Sequence, residues 1–97
     1  MATVVYGRRA LDHLEQAFDF IRHENPAAAA GAVRAITSAV TLLAEHPLVG
    51  RRVHGEIREL VISFGATGFV ALYRFVPLRQ EVRILALRHQ RELRYRP

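Results

Sequence analysis

The sequence predicts an α+β fold of order β-α-α-β-β-β, an antiparallel sheet with a helical hairpin packed on one face, and residues 1–97 are read as a single domain. Three observations carry this expectation. Apolar residues recur with helical period between Gly7 and His46, β-branched and aromatic runs follow from Ile57 to Leu87, and the connections between those runs are short. Connections of that length suit an antiparallel meander, because parallel neighbours need a crossover of a dozen or more residues.

Thr3-Val4-Val5-Tyr6 is a short strand candidate closed by Gly7. In the helix that follows, Leu11, Leu14, Phe18 and Ile21 fall on one face, with Asp12, Glu15, Asp19 and Arg22 on the other. Asn25-Pro26 ends it and supplies the N-cap and first-turn residues of a second helix. Val33, Ile36, Val40 and Leu43 form that helix's apolar face, its alanines allow close approach, and His46-Pro47 stops it. Residues 48–55, Leu48 to Gly55, read as a basic, glycine-punctuated connection. Strands are then expected at Ile57–Ile62, Phe69–Val76 and Val82–Leu87, separated by Gly65–Gly68 and Pro77–Gln80.

Strand alternation places Phe69, Ala71, Tyr73 and Phe75 on one face and Val70, Leu72, Arg74 and Val76 on the other. Two helices cover one apolar face; the second face is left as an interaction surface. Arg74 stands out there, since an arginine within an apolar strand must reach solvent or an anion. If the last strand stays extended, Arg83 and His89 share a face and Arg88 takes the other.

Charge is distributed unevenly. Residues 1–50 hold four arginines against five acids, whereas residues 51–97 hold ten against four, and the chain has a formal charge of +5. Every basic side chain apart from the histidines is arginine, a planar fork suited to carboxylate or phosphate. The last ten residues, Arg88 to Pro97, concentrate this character, with Arg88, Arg91, Arg94, Arg96, His89 and Tyr95 following directly on a strand. The absence of cysteine excludes a disulfide scaffold and a thiolate metal site. His13, His23, His46 and His54 lack metal-ligand spacing, so neither metal nor cofactor is expected. No apolar run of about 18–20 residues and no signal-peptide pattern are evident, and a cytoplasmic protein without membrane association is expected.

Several pieces, in this order and spacing, resemble the RelE/ParE superfamily of toxins from type II toxin–antitoxin modules. They are Ala10-Leu11-Asp12-His13-Leu14, Asn25-Pro26-Ala27-Ala28-Ala29, Leu43-Ala44-Glu45-His46-Pro47 with Gly50-Arg51, Ile57-Arg58-Glu59-Leu60, Val70-Ala71-Leu72-Tyr73-Arg74, and Ile84 to Glu92. The resemblance implies the same fold and a cognate antitoxin, whose acidic or amphipathic C-terminal segment would wrap the toxin. It also implies that operator DNA is reached only through the antitoxin.

Two activities exist in that superfamily. RelE-like members are metal-independent ribonucleases acting on messenger RNA at the ribosome; ParE-like members, including plasmid-stabilisation toxins, act on DNA gyrase. A ribonuclease site here would draw on Arg74, Arg83 or Arg88, His89 and Tyr95, since cleavage by the 2′-hydroxyl needs a base, an acid and cations on the phosphorane. RelE-type nucleases carry a dense set of lysines and arginines, whereas this chain has no lysine, its aligned loop supplies only Arg51, Arg52 and His54, and Ile84 to Glu92 looks ParE-like. The resemblance therefore favours a non-enzymatic gyrase inhibitor, with Arg51, Arg52, Arg74, Arg83, Arg88, His89, Arg91, Arg94 and Tyr95 as the candidate docking set. An inactive homologue serving only as antitoxin partner and co-repressor is the third reading.

Overall fold

The structure, a computed structural model, describes residues 1–65 and 67–90. Strand β1 (Thr3–Tyr6) leads through Gly7 into helices α1 (Arg8–Glu24) and α2 (Pro26–Thr41). Four strands follow: β2 (Arg51–His54), β3 (Ile57–Phe64), β4 (Thr67–Val76) and β5 (Glu81–His89). They form one sheet of order β1-β5-β4-β3-β2.

The three expected late strands do form an antiparallel meander. Two features depart from the expectation. The basic segment read as a connection contributes β2, which pairs antiparallel with β3 at the sheet edge, and β1 joins β5 in parallel, so the sheet is mixed. The parallel pair is feasible because the whole helical hairpin and meander lie between β1 and β5, more than the crossover such a pair requires.

Asn25 divides the helices as its sequence context predicts. Its backbone is extended at φ −153°, its Oδ1 accepts the Ala28 N–H at 3.3 Å, and Pro26 occupies the first helical turn. The buried face of α1 is turned relative to the expected one: Ala10, Leu14, Ala17 and Ile21 meet the core, while Leu11 is 48% exposed. The small side chains at Ala10 and Ala17 allow the closer approach of helix to sheet, and periodicity weighted by side-chain size misses them.

In α2 the buried residues are Ala29, Ala32, Ile36 and Val40, continued by Leu43 in a 3₁₀ turn over Leu42–Ala44. By length and composition alone, Pro26–Ala44, with mean hydropathy 1.5, is long and apolar enough to cross a membrane, contrary to the expectation that no such run is present, because alanine supplies much of its hydropathy. Here its apolar stripe faces α1 and the sheet.

Both helices lie against the sheet face that carries Ile62, Phe69, Ala71, Tyr73, Val82, Ile84 and Leu87. Full burial of a side chain such as Ile36, Leu43 or Ile84 contributes about 1.5–3 kcal/mol, so this single interface accounts for most of the driving force. Val4 and Tyr6 extend it onto β1.

Candidate functional site

Strand pairing determines which side chains share the face opposite the helices. Arg83 stands across from Arg74, Ala86 from Leu72, Arg88 from Val70, and Glu59 and Val61 of β3 stand across from Leu72 and Val70. The face therefore has an apolar centre of Val61, Val70, Leu72 and Ala86 bordered by Arg74, Arg83 and Arg88. Within it Val61 is 56% exposed and Leu72 half-buried, whereas Val70 and Ala86 are buried, so the accessible apolar surface is narrower than the strand alternation predicted.

A β-bulge in β5 decides the membership of the face. Tyr73 pairs with Ile84 and the adjacent Leu72 with Ala86, so Leu85 is the extra residue. An inserted residue reverses the alternation beyond it. Arg83 and Arg88 consequently share the open face, and His89 falls with Ile84 and Leu87 on the helix side. This corrects the expectation that Arg83 and His89 share a face while Arg88 opposes them.

His89 is enclosed by aromatic rings. Its imidazole meets Phe69 edge-on at a centroid separation of 5.1 Å and Phe20 of α1 at 6.4 Å. The arginines are placed differently from one another. Arg83 pairs with Glu81 on its own strand at 2.9 Å, which offsets part of its repulsion with Arg74 directly across. Arg74 is exposed, and none of the ion pairs among the described residues involves it.

The β2 arginines take two roles. Arg51 reaches Glu59 from the neighbouring strand, with Nε to Oε1 at 3.0 Å, and the pair is on the open face. Arg52 stands across from Arg58, on the other side, and remains exposed. Arg91, Arg94 and Tyr95 lie outside the described residues.

Three participants were missed by sequence reasoning. Glu81 was legible, because an i, i+2 spacing puts it on the face of Arg83. Arg58 donates to the carbonyls of Leu48 and Gly50 at 3.1 and 2.9 Å, holding the segment before β2. His13 of α1 accepts the Leu87 N–H at Nδ1, 3.2 Å away, a contact across 74 positions that no local pattern signals.

The described tyrosines are structural. Tyr73 is fully buried on the helix side, and its hydroxyl accepts the Gly50 N–H at 2.8 Å. Burial raises the Tyr73 phenol above its ordinary value near 10, while the Gly50 hydrogen bond and the Arg58 charge act in the opposite direction. Burial raises Tyr6 as well. Both were expected to be core or rim residues rather than reactive groups, and this placement agrees.

The sequence profile of the family described as "ParE toxin of type II toxin-antitoxin system, parDE" matches residues 4–94. The chain belongs to the ParE toxin family. This ParE-family toxin is also 38% identical over 94 residues to Toxin RelE3 of Caulobacter vibrioides, covering 97% of the chain and all of that protein. It is thus a type II toxin of the RelE/ParE superfamily.

Solved structures share its fold. The chromosomal ParDE toxin–antitoxin system of P. aeruginosa superimposes with TM-score 0.75 at 24% identity, over 92% of this chain and 96% of the other. The intact E. coli RelBE toxin–antitoxin complex gives 0.62 at 11% identity over 91% and 95%. The RelBE2 complex of Mycobacterium tuberculosis gives 0.61 at 24% identity over 91% and 96%. At these identities the likeness speaks to architecture alone.

Proposed function

We propose that this ParE-family toxin is neutralised by a cognate antitoxin on the open sheet face and, when free, inhibits DNA gyrase. The separation of His89 from Arg74 and Arg83 carries the choice of target. Ribonuclease chemistry requires the base, the acid and the phosphate-holding cations to converge within hydrogen-bonding reach of one phosphodiester. Among the described residues the cations share the open face while His89 lies with Phe20 and Phe69 on the helix side, and Tyr6 and Tyr73 are in or beside the core. A binding surface needs no such convergence.

The antitoxin reading is supported by the chemistry of the same face. An apolar strip rimmed by arginines suits an amphipathic acidic segment that orders as it binds, its apolar side chains on Val61 and Leu72 and its carboxylates on the rim. The structural relatives are themselves toxin–antitoxin complexes.

The test is a supercoiling assay with purified gyrase and antitoxin-free toxin. Loss of supercoiling or trapped cleavage complexes is expected, and full gyrase activity at excess toxin would sink the proposal. The second reading, a ribosome-dependent ribonuclease, is favoured by the clustering of Arg74, Arg83 and Arg88 and by the name of the C. vibrioides relative. It predicts cuts in translated messenger RNA that disappear in Arg74→Ala.

A further inference from the structure

We propose that His13 is a positioning residue: by accepting the Leu87 N–H at Nδ1 it holds the β5 bulge in register, and so sets the faces taken by Arg88 and His89. A bulge leaves the ladder locally disrupted, and a partly buried N–H without an acceptor destabilises the strand at that point. Leu87 is the second residue after Leu85, and its N–H is donated to the His13 imidazole of α1. His13 lies one turn from Ala10 and Ala17, which seat α1 on the sheet, so the core fixes the acceptor's position.

The alternative register is chemically specific. Without the extra residue, alternation would turn Arg88 toward the helices and His89 outward. Burial of Leu87 and Ile84 opposes this inversion by apolar contact, and the His13 bond opposes it with direction, because only one amide can occupy the Nδ1 lone pair. Accepting at Nδ1 also assigns the imidazole proton to Nε2. The consequence for a docked antitoxin rests on the functional reading above; the register does not.

Three measurements on the free full-length protein test this. In its ¹⁵N spectrum the His13 imidazole should carry its proton on Nε2; a proton on Nδ1 overturns the proposal. Hydrogen exchange of the Leu87 amide should be faster by about tenfold in His13→Leu, which removes the acceptor at similar size. In His13→Asn, whose Oδ1 takes the place of Nδ1, protection should return to within about threefold, separating acceptance from mere space-filling. A Leu87 amide equally protected in wild type and His13→Leu overturns it. Retained ring contact of His89 with Phe69 in His13→Asn, and its weakening in His13→Leu, is the accompanying register readout. A failed gyrase or antitoxin assay leaves all of these unchanged.

Discussion

The Tyr73 hydroxyl and the Gly50 backbone N–H are joined at 2.8 Å in a fully buried position, linking the middle of β4 to the residue that precedes β2. Gly50 lies against the ring so closely that a Cβ there would come within 2.6 Å of the Tyr73 hydroxyl and of the Glu59 carbonyl. The edge strand that carries Arg51 and Arg52 is therefore anchored by one phenol and by Arg58 on the Leu48 and Gly50 carbonyls.

Tyr73→Phe is expected to lower stability by about 1–3 kcal/mol, because the Gly50 N–H is left buried without its acceptor. Gly50→Ala should be at least as damaging, about 3 kcal/mol or more, since the Glu59 carbonyl is backbone and cannot yield. Urea unfolding midpoints compare the two; unchanged midpoints in both would refute the anchor.

Alkaline pH probes the same phenol. Burial raises Tyr73 and Tyr6 above their ordinary value, so between the unfolded and folded pKa the native state holds more protons than the unfolded chain. Their contribution is complete below pH 10 or so and is lost as pH rises through the folded values. Unfolding free energy should decline above pH 10, less steeply in Tyr73→Phe than in wild type.

Removing the Asn25 cap isolates the helical hairpin. Asn25→Ala deprives the Ala28 N–H of its side-chain acceptor and should cost about 1 kcal/mol, whereas Asn25→Asp or Asn25→Ser should cost only a few tenths. Thermal unfolding followed by circular dichroism distinguishes these variants.

Arg74 offers a test of the open face that is independent of folding. It is exposed and outside the described ion pairs, so Arg74→Ala should alter stability by no more than about 0.5 kcal/mol. Antitoxin affinity should nonetheless fall about tenfold and lose part of its salt dependence. Titration calorimetry at low and high salt reads both effects; equal affinity for wild type and variant would remove Arg74 from the interface.

Much of the architecture was legible because it depends on local chemistry. Asn25-Pro26 capped the second helix as its side chain and ring require, and the meander followed from alternation and short turns. The failures share a cause. Ala10 and Ala17 joined Leu14 and Ile21 on the buried face of α1 while Leu11 turned to solvent, because close approach depends on the opposing sheet, and Arg51–His54 became a strand only because β3 offered a free edge.

By itself the sequence determined the hairpin, the meander, the exclusive use of arginine for fixed cations and the concentration of that charge after residue 50. These are properties of residue type and spacing. Only the tertiary structure decided that β1 enters parallel to β5, that a bulge at Leu85 brings Arg83 and Arg88 together, and that His89 lies with Phe20 and Phe69. The physical reason is that a one-residue insertion inverts every side chain beyond it, and its location is set by partners far away in sequence, the buried Leu87 and the imidazole of His13.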